Sequence, residues 1–364
     1  MPAATAREMR CNPAMFEVWA TGAGIPGLAA RHAAAVEQAG YDGLALVDSQ
    51  NLAGDCYVGL ALAAKATTRL RLATGVTNPV TRHPAATAAA IAAVHAESGG
   101  RAVLGIGRGD SALAHLGYAP AAPAVFEHAL TRIQGYLRGE DVPFEADANL
   151  DSLGLADAPR ASRLNWLSRE LPKVPVDVAA TGPRMIAIAA RLAERVSFAV
   201  GADPARLRWA IDTARAARRA AGLDPAGFSP GAWLNVVVHD DAEQARRLGE
   251  GGLALFARFS AMHGTPVGPA SDADQALLRR VHDAYDMNRH ARTGSQQAAL
   301  LSADFARRFA VYGPPGLVID RLRELLALGI ERFLIVGASI GADRELARTA
   351  EARFVREVLP ALRG

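Results

Sequence analysis

The chain has 364 residues, of which 50% are hydrophobic, 21% charged and 6% aromatic, a composition that excludes disorder, collagen and coiled coil. Forty basic against 37 acidic residues leave a net charge of +3, too weak a bias to imply nucleic acid or an anionic membrane. No apolar run reaches the roughly 18 residues of a membrane span; Met1–Arg10 lacks a signal peptide's apolar stretch, and the two cysteines, Cys11 and Cys56, have no metal-ligand or disulfide spacing. A cytoplasmic protein is expected.

Short β-branched runs alternate with alanine-rich helical stretches along nearly the whole chain. Strands are predicted at Met15–Ala20, Gly43–Asp48, Leu70–Val76, Ala102–Gly107, Val176–Thr181, Val196–Val200, Trp233–His239 and Phe333–Gly337. Helices fall between them, among them Leu28–Ala39, Pro84–His95, Phe126–Leu137, Pro183–Ala193, Pro204–Ala221 and Pro315–Leu328. Pro84, Pro183, Pro204 and Pro315 mark helix starts, and Gly40, Gly222 and Gly329 mark helix stops.

Eight strands each followed by a helix is the pattern of a (β/α)8 barrel, here one domain over residues 1–364. Two long connections interrupt the rhythm, at about 138–175 and 250–309. Both are expected to carry their own structure and to lie over the C-terminal face. The first has a candidate hairpin at Val142–Leu150; the second is mostly polar or helical, punctuated by Gly251-Gly252 and Thr293-Gly294.

Gly22-Ala23-Gly24-Ile25-Pro26-Gly27 is a literal G-x-G-x-x-G after a strand, with Asp48 standing 21 positions beyond Gly27. Spacing alone matches a dinucleotide-binding fingerprint. The eightfold alternation and Glu17 in the first strand argue for a plain strand-to-helix turn instead.

The chemistry-bearing motifs fall at strand ends. Strand three ends in Thr74-Gly75-Val76-Thr77-Asn78-Pro79-Val80-Thr81-Arg82-His83-Pro84. Strand four opens with Ser98-Gly99-Gly100-Arg101 and ends with Gly105-Ile106-Gly107-Arg108-Gly109-Asp110-Ser111. Strand five gives Ala179-Ala180-Thr181-Gly182-Pro183-Arg184, a turn whose free N–H groups and positive helix end suit a phosphate. Asp110 either projects into the mouth or caps a helix. Asp48 is open to the same two readings. Arg82 and His83 are candidates for an anionic group or for structural roles, and His115 is a weaker proton-transfer candidate. The remaining histidines, including His263, His282 and His290, read as members of surface helices. No pair has H-x-x-x-H or H-E-x-x-H spacing, so no metal is expected. Ser111 has no G-x-S-x-G context, which argues against a hydrolase nucleophile there.

Together these motifs resemble the bacterial luciferase-like superfamily, and within it the branch similar to methylenetetrahydromethanopterin reductases. The resemblance covers most of the chain and is weakest in the two long connections. It implies a barrel binding coenzyme F420, or alternatively FMN, at its C-terminal face. It implies a non-prolyl cis peptide at Gly75–Val76 behind the flavin-type ring. Gly105, Gly107 and Gly109 would clear space for ring and ribityl chain, and Ala180, Thr181, Gly182, Pro183 and Arg184 would hold the phosphate. Asp48 matches a ring-contacting position, and Ser49 stands where the sugar-phosphate dehydrogenase branch has a catalytic histidine. Asp110, walled by ring and apolar side chains, would have a raised pKa and donate a proton.

The expected function is hydride transfer between a deazaflavin and a small organic molecule. The alternatives are an FMN-dependent monooxygenase and a flavin-binding barrel without turnover. A homodimer is implied by the resemblance alone.

Overall fold

The computed structural model describes residues 16–168 and 170–364; Met1–Arg10, Cys11 and Met15, which figure in the readings above, lie outside them. Nine strands form: β1 (Glu17–Ala23), β2 (Gly43–Val47), β3 (Arg71–Thr74), β4 (Ala102–Ile106), β5 (Val176–Ala180), β6 (Arg195–Phe198), β7 (Ser229–Val238), β8 (Val311–Gly313) and β9 (Arg332–Val336). Every pairing among them is parallel. Strands β1 to β7 follow one another in order, and β9 joins β7 to β1, which closes an eight-stranded barrel. This is the (β/α)8 architecture, with eighth strand β9 over the run expected at Phe333–Gly337. The extra strand β8 pairs only with the far end of β7, at Val236–Val238. A closed barrel has no crevice between diverging strands for a dinucleotide. Gly22–Gly27 is accordingly a connecting turn, with Gly24 O accepting from Gly54 N at 2.9 Å.

Alternate strand residues belong to two separate cores, as period-2 geometry requires. Val18, Leu44, Leu72, Leu104, Val178, Val196, Leu234 and Phe333 pack outward against the helical ring. Trp19, Ala45, Ala73, Val103, Ala199, Trp233 and Leu334 form the other core. Small residues there leave room for the two indoles. Low in the same barrel, Arg332, 1% exposed, pairs with Asp177 at 2.9 Å. Arg195 pairs with Glu17 at 2.9 Å, and Trp19 Nε1 donates to the same carboxylate. Glu17, an odd residue for a buried strand, thus sits within a charge network.

The first helices are α1 (Ala29–Gln38), α2 (Cys56–Ala66), α3 (Pro84–Glu97), α4 (Ser111–Ala114), α5 (Pro123–Leu137), α6 (Pro183–Leu192) and α7 (Pro204–Ala220). They are followed by α8 (Ala242–Phe259), α9 (Asp272–Asp283), α10 (Gln296–Ala299), α11 (Ala303–Phe309), α12 (Pro315–Ala327), α13 (Arg344–Arg353) and α14 (Leu359–Arg363). All four prolines expected at helix starts are first residues, in α3, α6, α7 and α12. No helix among the described residues is long and apolar enough to cross a membrane.

The two long connections lie at opposite ends of the barrel, which corrects the expectation that both cover the C-terminal face. Segment 138–175 leaves the end of α5 and enters the start of β5, so it runs beneath the strands' N-terminal ends. His95 Nε2 meets Pro172 O there at 2.9 Å. The hairpin expected at Val142–Leu150 is absent: Val142 pairs singly with Ser162, and a helical turn forms at Asp151–Leu153. Segment 250–309 follows β7 and does lie over the mouth, where α8 to α11 join the inner core.

Helix α8 runs unbroken through Gly251-Gly252, so these glycines do not punctuate it. They permit close approach: a Cβ at Gly251 would come within 2.6 Å of Ala291 O, and one at Gly252 within 2.6 Å of Asn235 Oδ1.

Candidate active site

At the end of β3 the Gly75–Val76 peptide is cis, as the family resemblance implied. Strand β4 is cut to fit this bulge. Thr77 N donates to Gly105 O at 3.0 Å, Gly107 N returns to Thr77 O at 2.9 Å, and Thr74 Oγ1 donates to Gly105 O at 2.6 Å. A Cβ on Gly105 would overlap the Thr74 carbonyl oxygen, and one on Gly107 would lie 3.1 Å from the Val76 side chain. Gly109 has φ of 87°, and its missing Cβ faces Leu113 and Asn78. The three glycines therefore admit neighbouring protein atoms at these positions, and Gly105 also lines the cavity beside Val76. Val76 lines a narrow cavity within the barrel with Trp19, Asp177, Ala179, Trp233 and Leu334. Trp233 Nε1 and, on the loop after β3, Asn78 Nδ2 are buried without hydrogen-bond partners.

Asp48, 4% exposed, is fully engaged. Its Oδ2 accepts from Thr77 Oγ1 and from Arg82 Nη1, each at 2.6 Å. Arg82 reaches on to Asp55 at 2.7 Å and lies 4.8 Å from the Tyr57 ring centroid. Burial alone would lower the Arg82 pKa, but Asp48, with smaller contributions from its other neighbours, raises it. Asp55, not Asp48, caps α2, accepting from Tyr57 N and Val58 N. Burial, then Asp48, push the Cys56 thiol upward, so it is no thiolate at neutral pH. Arg82 thus orders the carboxylates around it, and His83 caps α3 by accepting from Ala85 N at 3.1 Å.

Asp110 precedes α4 without making a side-chain cap bond. Its Oδ1 pairs with Arg258 Nη1 at 2.6 Å, with both side chains 13% exposed, while Oδ2 is buried and free of partners. The apolar surroundings expected for Asp110 are replaced by a guanidinium. Arg258 lies 4.7 Å from the Tyr285 ring centroid, and Tyr285 Oη meets His290 Nδ1 at 3.1 Å. The loop after β2 is stitched to the same turn: Ser49 Oγ lies 3.2 Å from Ser111 Oγ, and Gln50 Nε2 donates to Ala112 O at 2.9 Å. His115, whose carbonyl accepts from Asn51 Nδ2 at 3.5 Å, has Nε2 buried and unpartnered.

At the end of β5, after Ala180, the turn into α6 is open. Nothing lies within 4 Å of a Cβ at Gly182. Pro183 and Arg184 are exposed, and the first N–H groups of α6 face outward without a side-chain cap. Thr181 Oγ1 donates to Ala199 O at 3.3 Å.

The Ser98–Arg101 motif, the most specific in the sequence, lies at the other end of β4. Ser98 closes α3, Gly99 and Gly100 take φ of 64° and 89°, and Arg101 then reaches under α2. Its guanidinium donates to Ser98 O, Ala64 O, Thr67 O, Leu70 O and Thr67 Oγ1 at 2.6–3.0 Å.

Sequence reasoning missed Arg258, Tyr285 and His290, which reach the site by tertiary packing and carry no local motif. Of the three histidines placed in surface helices, only His282 is helical, in α9. His290 is half-buried after the turn Met287–Arg289, and His263 stands on a turn. Asp55 was detectable, as an acid directly before the apolar run of α2.

The barrel and the mouth it carries define an oxidoreductase of the luciferase-like class: the family model described as luciferase-like monooxygenase matches residues 17–332, and the chain belongs to that family. A 5,10-methylenetetrahydromethanopterin reductase from Methanolobus tindarius is 27% identical over 325 residues, covering 87% of this chain and 92% of the relative. The phthiodiolone/phenolphthiodiolone dimycocerosates ketoreductase of Mycobacterium tuberculosis (strain ATCC 25618 / H37Rv) is 30% identical over 291 residues, covering 75% of this chain and 71% of the relative. Among solved structures, the coenzyme F420 dependent tetrahydromethanopterin reductase from Methanopyrus kandleri superposes with a TM-score of 0.72 at 22% identity, over 96% of this chain and 99% of that one.

Proposed function

We propose that the protein transfers hydride between a coenzyme F420-type deazaflavin and a small organic substrate at the C-terminal face. The observation that carries this is a set of unmet groups inside the barrel and at its mouth. Buried donors at Trp233 Nε1 and Asn78 Nδ2 lack acceptors beside Val76, and an open helix start stands at Gly182. Buried polar groups are seldom left unpaired, and a planar ring bearing carbonyl oxygens and a side chain carrying a phosphate fits this donor set. The choice of deazaflavin draws on the similarity to reductases whose names specify methylenetetrahydromethanopterin or coenzyme F420.

In this reading the N–H groups at the start of α6, with Thr181 and Arg184, bind the phosphate. Val76 backs the ring, while Asp48, anchored by Arg82 and Thr77, orders the wall beside it. Asp110, whose buried Oδ2 has no partner, holds or moves the substrate proton. The bound cofactor supplies the hydride chemistry. The reading includes a small-molecule substrate, a single barrel domain in the cytoplasm and, on family resemblance, a homodimer that sedimentation would reveal.

The test is titration of purified protein with coenzyme F420 and with FMN, followed by exposure of each reduced complex to oxygen. Tighter F420 binding without oxygen uptake is the expected result. FMN binding with oxygen uptake upon substrate addition favours the monooxygenase reading, which the family model's description motivates.

A further inference from the structure

The segment over the mouth brings a group of donors to Asp110 that cofactor binding leaves unused. Arg258 closes α8 with its guanidinium against Tyr285 and one N–H on Asp110. Stacking and the ion pair hold the planar fork in one orientation, which suits it to bind an anion through further N–H groups. Arg108 enters from the end of β4, tied by Nε to Ala121 O, with Nη1 3.0 Å from His263 Nε2.

These groups share one electrostatic field. Burial and then Arg108 hold His263 below its ordinary value, with His282 and Arg258 adding to the repulsion. Burial also lowers His290; Asp110 opposes this, while Arg258 and His115 reinforce it. Two of the imidazoles keep a buried ring nitrogen without a partner, His115 Nε2 and His282 Nδ1. Two guanidinium groups thus gather with the imidazoles of His263 and His290, both held toward the form with one N–H to donate, around the Asp110–Arg258 pair. The donors outnumber the acid.

We propose that this end of the site binds an anionic group of the substrate, a carboxylate or a phosphate, on Arg258 and Arg108 with imidazole N–H groups completing its shell. The proposal rests on the reading of this face as the catalytic one and names the substrate class that reading left open. Asp110 serves as the internal anion that keeps Arg258 oriented, and the substrate's charge shares or takes over that fork.

The test uses inorganic phosphate and succinate as probes, titrated into the protein without cofactor. Melting temperature and imidazole ¹⁵N shifts are the readouts. Saturable binding that moves His263 and His290 is expected, weakened about tenfold or more in Arg258→Met. In Asp110→Asn, where the competing carboxylate is gone, binding should tighten severalfold. F420 affinity, measured on the same proteins, should be unchanged. Equal anion affinity in all three proteins, or no histidine response, overturns the proposal. An F420 affinity that falls in step with phosphate overturns the substrate assignment and gives the site to the cofactor's own charge. If Arg258→Met does not fold, Asp110→Asn decides, because loss of a merely structural ion pair does not tighten anion binding. The probe titrations contain no cofactor, so failure of the hydride-transfer reading would show separately, as absent F420 binding.

Discussion

Asp110 and Arg258, separated by 148 positions in the chain, meet at 2.6 Å and bind the loop after β4 to the end of α8. This contact makes the segment after β7 part of the site. It also gives the carboxylate a fixed orientation with Oδ2 left unpartnered.

Asp110→Asn should bind cofactor as the parent does and lose turnover about 100-fold or more, the usual contribution of a positioned proton-transfer group. Melting temperature, cofactor affinity and turnover measured on one preparation separate this from a stability effect. Full activity per folded molecule would remove Asp110 from the chemistry.

Gly105 and Gly182 make a contrasting pair. Alanine at Gly105 places a methyl on the Thr74 carbonyl and should destabilise the fold by about 3 kcal/mol, at the upper end for overpacked sites. A Cβ at Gly182 meets nothing within 4 Å, so in Gly182→Leu the melting temperature should hold. Cofactor affinity should nevertheless fall about tenfold, or about 1.4 kcal/mol, if the phosphate lies at that turn. Denaturant midpoints and a binding titration check the two halves.

Arg82→Met strips buried Asp48 of its cation and should cost about 3 kcal/mol, because the carboxylate stays in its low-dielectric site. Adding Asp48→Asn should recover part of that loss. A double-mutant cycle in urea measures the coupling, and additive losses would mean the pair contributes nothing.

Glu17 makes acid stability testable. Burial works against its charge, but Arg195, hydrogen-bonded to it, together with Arg71 and Arg332, holds its pKa below the ordinary carboxylate value. A depressed carboxylate stabilises the fold above its unfolded pKa, about 4.3, and that contribution fades as pH falls through the lower folded value. Glu17→Gln should therefore be less stable than the parent at pH 7, the two converging in acid. Parallel stability curves down to the acid limit would show that Glu17 contributes no such linkage.

The sequence conveyed the barrel because each strand and helix announces itself locally. Alternating apolar residues, proline at helix starts and glycine after helix ends need no knowledge of distant partners. β7 extends upstream of the expected Trp233 through Pro230 and Gly231, residues that hide a strand, and β8 is only a three-residue pairing with its neighbour. Asp48 and Asp110 were legible as acids at strand ends. Their partners Arg82 and Arg258 differ in this respect: Arg82 follows the same motif as Thr77, whereas Arg258 is one of many arginines on amphipathic helices. The two long connections look alike in sequence, but one follows a helix and the other a strand. That difference in connectivity sends them to opposite ends.

Arg101 gathers four backbone carbonyls at the end of β4 remote from the mouth. The most specific motif in the sequence is therefore a fastening, separated from the candidate site by the length of a strand. Residues at the mouth can be exchanged without loosening it, so kinship and occupation are written at opposite ends of the same strand.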